Sequence, residues 1–237
     1  MTTPSRMTAN ALVLFVCAGH AVVGCGGSAG GGSGDDLGSG TQTLVVTAAI
    51  EADNQIPNAT DVNDFTTSFD VRVRRAGQDV ADATVTVTSA AGAVTLAYSG
   101  DGRYRGAQVG YHEVYRLDVV AGDDDVTGAR VDGPDIHVIT APQPGALVPR
   151  SADLVVEWAR DETAEVAEIE TKEMDKVAID DTGTFTVPAA ILNQDDSEIK
   201  DDEVRIWRTN RLSPAGGAGG SSLSVTVRNE IDVLVAP

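Results

Sequence analysis

Strict alternation is what most constrains this chain. Phe69-Asp70-Val71-Arg72-Val73-Arg74 and Ala83-Thr84-Val85-Thr86-Val87-Thr88 switch between apolar and polar at almost every step. Successive side chains of a strand point to opposite faces, so such runs bury one face and wet the other. Similar runs recur at Leu44–Ile50, Val94–Tyr98, Tyr104–Val109, Val114–Val120 and Pro134–Ile139. Turn residues separate them, notably Ser99-Gly100-Asp101-Gly102 and Ala121-Gly122-Asp123-Asp124-Asp125. After Ala141-Pro142-Gln143-Pro144-Gly145 the pattern resumes at Asp153–Ala159, Phe185–Pro188, Glu203–Arg208, Leu223–Arg228 and Ile231–Val235, with a glycine-rich hairpin loop at 216–220. Strands every 8–12 residues between turn signals predict an all-β sandwich architecture. Residues 161–176 satisfy both helical spacing and alternation, and a sandwich requires the strand.

Two motifs add family resemblances. Asp82-Ala83-Thr84-Val85-Thr86-Val87 followed by Gly102-Arg103-Tyr104 resembles bacterial immunoglobulin-like or transthyretin-like modules. Pro142-Gln143-Pro144-Gly145, then Asp153-Leu154-Val155-Val156-Glu157-Trp158, resembles the opening of fibronectin type III-like domains, where the tryptophan is a core residue. The resemblances imply two tandem Ig-like or fibronectin-like β-sandwiches, over 41–141 and 142–237, and no activity.

The N-terminus carries a different signal. A start with one basic residue, Arg6, precedes an apolar run over Ala11–Val23. That run is shorter than the about 20 residues a spanning helix needs, and it reads as a secretory signal peptide over 1–24. Val22-Val23-Gly24-Cys25 resembles the bacterial lipobox. The resemblance implies cleavage between Gly24 and Cys25, and palmitate-type lipidation of Cys25 as the first mature residue. Two or more chains on one cysteine anchor stably. Gly26 in place of Asp leans toward the outer membrane, with the protein facing the periplasm or the surface. Residues 25–40 then form a tether, since Gly26–Gly40 holds eight glycines and three serines. Such a chain spans about 20 Å root-mean-square when free.

The formal charge of −19 argues against nucleic acid as a partner. Cys25 is the only cysteine after the cleavage point, so no internal disulfide or cysteine-based metal site can form. Gly26-Gly27-Ser28-Ala29-Gly30 matches a nucleophile elbow by letter only, without the strand and helix that chemistry needs. His112 and His137 lie in no metal or triad pattern and read as surface or packing residues. Ca2+ is the one ion the pattern keeps open, through oxygen-rich turns. The turns are Asp61-Val62-Asn63-Asp64, which looks like the D-x-N-D core of the cadherin linker, Asp123-Asp124-Asp125, Asp180-Asp181-Thr182-Gly183 and Asp195-Asp196. Solvated turns are the plainer reading of all four. Trp158 and Trp207 could stack a sugar, but alternating strands favour core packing for both. The expectation is therefore a non-catalytic envelope lipoprotein, an interaction or structural module. Its partners are the membrane, through its anchor, and an envelope protein. A calcium- or glycan-binding surface module is the alternative, and a hydrolase built from scattered acids comes last.

Overall fold

The computed structural model describes residues 35–189, 191–192 and 197–237. Among them are eighteen strands and no α-helix. In the first half they are β1 (Ser39–Gly40), β2 (Leu44–Asn54), β3 (Phe65–Arg75), β4 (Gln78–Asp79), β5 (Thr84–Ser89), β6 (Gly92–Thr95), β7 (Ala97–Gly100), β8 (Arg103–Val109), β9 (Val114–Ala121), β10 (Asp124–Asp132) and β11 (Val138–Ala141). Then come β12 (Leu147–Pro149), β13 (Leu154–Ala159), β14 (Val166–Thr171), β15 (Val177–Ile179), β16 (Thr184–Val187), β17 (Lys200–Leu212) and β18 (Ser222–Ala236). The protein is all-β, and residues 161–176 hold strand β14 rather than a helix.

Local chemistry sets the turns. Ala76 and Gly77 join β3 to β4 with φ of 48° and 80°, and Asp101 and Gly102 join β7 to β8 with 50° and 69°. Positive φ at both central residues is the type I′ geometry that matches strand twist. The predicted strand at 134–139 is displaced. Its neighbour β10 occupies Asp124–Asp132, and only Val138 and Ile139 of the predicted run are in β11. Residues 133–137 instead cross from one sheet to another.

A ten-stranded sheet, in the order β15-β14-β17-β18-β2-β3-β8-β7 with β4 and β12 at its margins, backs the whole molecule. The first sandwich sets a five-stranded sheet, β1-β10-β9-β5-β6, against it. Val85, Val87, Leu117 and Val119 meet Val46, Ile50, Val71 and Val73 there. The second sets β11-β13-β16 against β14, β17 and β18, burying Val156, Trp158 and Val187 with Ile169, Ile206 and Val233. Each buried aliphatic side chain contributes roughly 1.5–3 kcal/mol.

The two cores share their longest strands. β18 pairs with β17 along thirteen residue pairs, and its first half runs parallel to β2, from Ser222↔Thr47 to Arg228↔Asp53. Its inward residues Leu223, Val225 and Val227 belong to the first core, and Ile231, Val233 and Val235 to the second. Core membership therefore does not follow chain order across residue 141.

Residues 35–40 depart from the expected tether. β1 pairs with β10 through Ser39↔Thr127 and Gly40↔Val126, and Asp36 exchanges backbone hydrogen bonds with Arg130. Glycine serves close approach here. A Cβ on Gly40 would lie 2.3 Å from the Asp125 carbonyl oxygen, and one on Gly216 2.0 Å from that of Ser39. The 216–220 loop is likewise docked: Gly216 accepts from Gln42 N, and Ala218 donates to the Leu44 carbonyl.

Candidate functional site

Cys25, Gly24 and Asp195-Asp196 lie outside the described residues. The calcium candidates in the first half of the chain fall in two separate places. Asp61, Asn63 and Asp64 form the capping box of a single 3₁₀ turn at Val62–Asp64, just before β3. Asp61 Oδ1 accepts from Asn63 N at 2.9 Å and from Asn63 Nδ2 at 2.8 Å. Asp123 is an exposed turn residue, and Asp125 is the second residue of β10, beside Thr41, at the far end of β3. Eleven residues of β3 separate the two places, about 33 Å at about 3.3 Å per residue. Asp124 pairs with Arg75 at 2.6 Å and accepts from Thr43 Oγ1 at 2.6 Å. Among the described residues, no three His, Cys, Asp or Glu side chains are grouped to hold a metal ion.

Asp181 is not a solvated turn. It sits in a buried polar seam where the five-stranded sheet ends and the three-stranded sheet begins. Arg208, fully buried on the inward face of β17, donates from Nε to Asp181 Oδ2 at 3.0 Å and from an NH to Asp135 Oδ1 at 3.0 Å. It also donates to the carbonyls of Asp135 and Glu162. Trp158 Nε1 and Ala164 N donate to Asp181 at 2.9 and 2.7 Å, and Arg160 Nε stands 3.2 Å from its Oδ1. Burial alone would raise the Asp181 pKa. The donors from Ala164 and Trp158 and the Arg208 charge outweigh it and hold the carboxyl below its ordinary value. On β18, buried Asn229 serves the same crossing chain, donating to the carbonyls of Ala59 and His137 at 2.8 Å each. The crossing backbone loses its sheet partners at this point, and these side chains supply the hydrogen bonds a buried carbonyl requires.

His137 is fully buried in the seam. Burial first, then the Arg208 guanidinium, lower its pKa to about 3, against weaker opposition from Asp181, the Ile206 backbone and Asp135. It is a packing residue, neutral at physiological pH.

The outward face of the ten-stranded sheet has a different character, with no second sheet over it. Trp207 points to this face, contrary to the core position expected for it, while Trp158 is buried as expected. Counting in twos from Val204 and Ile206 places Trp207 outward and Arg208 inward. Trp207 is opposite Glu168 on one side and Arg228 on the other. With Glu51, Asp53, Lys176 and Thr226 these residues line a cavity of about 160 Å³. Lys176 Nζ stands 3.6 Å from the centroid of the Trp207 ring, a cation–π contact, and 3.9 Å from Glu168. Arg228 Nε is 3.2 Å from Asp53. A second cavity of about 470 Å³ continues from Glu51 along the β2–β18 seam, with Thr47, Ser68, Ser222 and Ser224 on its floor and Asp70, Arg72 and Arg103 beside it. Asp70 there takes both Arg103, at 2.8 Å, and Arg105, at 3.0 Å.

No protein-family model matches the chain, and no curated protein matches it. Among solved structures it is similar to a chain of a 1.5-MDa bacterial ice-binding adhesin, described for host cell surface retention, at 15% identity and a TM-score of 0.25. That match covers 81% of this chain and 65% of the adhesin chain, so the chain spans less than two thirds of that relative's length. It is also similar to fibronectin(III)-like modules of Clostridium thermocellum CbhA, at 11% identity and a TM-score of 0.22, covering 78% of this chain and 92% of that one. At such low superposition neither likeness bears on function. The β-sandwich assignment stands on the two facing sheet pairs themselves.

Proposed function

We propose that this chain is a lipid-anchored module of the bacterial envelope that binds a partner and does not catalyse. The observation that carries the reading is the uncovered outward face of the ten-stranded sheet. It gathers a half-buried indole, paired ions and hydroxyls into two neighbouring cavities that share Glu51, while the buried ionic residues hold the fold. The lipobox-like Val22-Val23-Gly24-Cys25 supports anchoring through Cys25, and Gly26 supports the outer membrane as destination. Residues 35–40, the end of the expected tether, are tied to β10.

The test is labelling with radioactive palmitate in a bacterial host, followed by cross-linking and affinity capture from intact envelopes. Label incorporated by the native chain and lost in Cys25→Ser, with a specific partner recovered only by the anchored form, supports the reading. A native chain that takes no label and fractionates with soluble protein refutes the anchor. Equal recovery by both forms refutes the need for it.

A further inference from the structure

We propose that the outward groove centred on Trp207 binds a neutral oligosaccharide. This rests on the reading of the chain as a binding module and gives that module a ligand class. Three features of the groove select this chemistry.

The first is the indole. A tryptophan on a polar sheet face, lining a cavity with carboxylates and a guanidinium around it, offers an apolar plate for the C–H face of a sugar ring. Its rim supplies charged hydrogen-bond partners for hydroxyls, which are stronger than neutral ones. The second is charge balance. Glu51, Asp53, Glu168 and Asp70 face Lys176, Arg228, Arg72 and Arg103, so the groove is neutral within a chain of formal charge −19. A surface for a polyanion or a polycation would carry one sign. The third is shape. The two cavities share Glu51 in their linings, and their β2 residues run from Thr47 to Asp53, about 20 Å at about 3.3 Å per residue. That is the form an extended chain of sugar rings needs, with hydroxyl side chains along its floor.

Lys176 has a defined part in this arrangement. It lies in the turn between β14 and β15, and its ammonium covers the Trp207 ring. Its long flexible stem lets it swing aside as a sugar stacks, after which it can donate to a ring hydroxyl or to Glu168.

The experiment is a titration of the full-length chain, held in a detergent without a sugar headgroup, by calorimetry and tryptophan fluorescence. The probes are cello-, chito-, xylo- and manno-oligosaccharides, with polygalacturonate and polylysine as charged counter-probes. The expected result is saturable binding of at least one neutral oligosaccharide, with a change in indole emission. Trp207→Ala should weaken it by about tenfold or more, the equivalent of a lost stacking contact. Glu51→Gln, an exposed change that leaves the sheet intact, should weaken it severalfold. The proposal is overturned if no neutral probe binds at millimolar concentration, if a charged polymer binds in preference, or if Glu51→Gln and a folded Trp207→Ala both bind as the native chain does. Failure here, with specific envelope capture intact, removes the ligand class and leaves the binding module standing.

Discussion

Trp207 and Arg208 are neighbours on β17, yet they belong to two different regions. Arg208 faces inward to a seam where each nitrogen of its guanidinium meets a carboxylate or a backbone carbonyl. Trp207 faces outward to a groove where arginines and carboxylates pair at the surface, many of them more than a quarter exposed. The same ion types do different work in the two places. In the seam, water is excluded, so an unmatched charge is costly and each partner is required. On the outward face, screening leaves each pair worth little to stability, and its groups remain available to a ligand. Burial, rather than residue type, decides which charges hold a fold and which can serve recognition.

The largest expected consequence of that contrast is a pH profile. Folding keeps His137 neutral with a pKa of about 3, against about 6.5 in the unfolded chain. Between those values the unfolded chain binds a proton that the folded chain refuses, so stability rises with pH. His137's contribution is complete above about pH 6.5 and falls as pH drops toward 3, by on the order of 4–5 kcal/mol at about 1.4 kcal/mol per pH unit. Asp181, its pKa depressed, adds a second decline that begins only below its ordinary value of 3.8. Urea denaturation across this range should show the first slope in the native chain and lose it in His137→Leu. A native profile that is flat between pH 6.5 and 4 would place His137 in contact with water.

A smaller effect is expected at the docked N-terminal segment. Gly216→Ala puts a methyl group into the Ser39 backbone and should cost about 1–3 kcal/mol, as overpacking does. Limited proteolysis should then release the peptide N-terminal to residue 41 faster than in the native chain. Unchanged protection would mean that residues 35–40 move without cost. The smallest effect belongs to the outward ion pairs. Arg105→Ala breaks a surface contact with Asp70 and should change stability by less than about 1 kcal/mol in chemical denaturation. A larger loss would mean the outward face is structurally coupled to the cores.

Much of the architecture is legible in the sequence because period-two alternation is a direct consequence of burying one sheet face. The inward residues of β2, β3 and β18 can be read off by counting in twos. The same count places Trp207 outward and Arg208 inward, but residue type suggests the opposite, and only the phase set by Val204 and Ile206 is correct. Other features are not local. The glycines at 38, 40 and 216 look like flexibility until the backbones they allow together are known. Asp181 looks like a turn residue because its partners, Arg208 and Trp158, lie more than twenty residues away on either side. The strand expected at 134–139 misleads because its apolar letters fill a crossover whose backbone is satisfied by side chains. The groove depends on the parallel pairing of β2 with β18, a contact between the two ends of the chain that no local pattern encodes.

On the proposed reading, the two faces of β17 divide stability from recognition. The most direct test of that division is a side-by-side thermal melt of Arg208→Met and Trp207→Ala at neutral pH. Removing Arg208 leaves Asp181 with the partly exposed Arg160 as counter-charge and withdraws the donors to the Asp135 and Glu162 carbonyls, a loss of about 3–5 kcal/mol that should lower Tm by about 6–20 °C. Removing Trp207 from the outward face should shift Tm by no more than about 2–4 °C, the equivalent of about 1 kcal/mol in a chain of this size. Equal losses in the two variants, or a larger one for Trp207→Ala, would contradict the division.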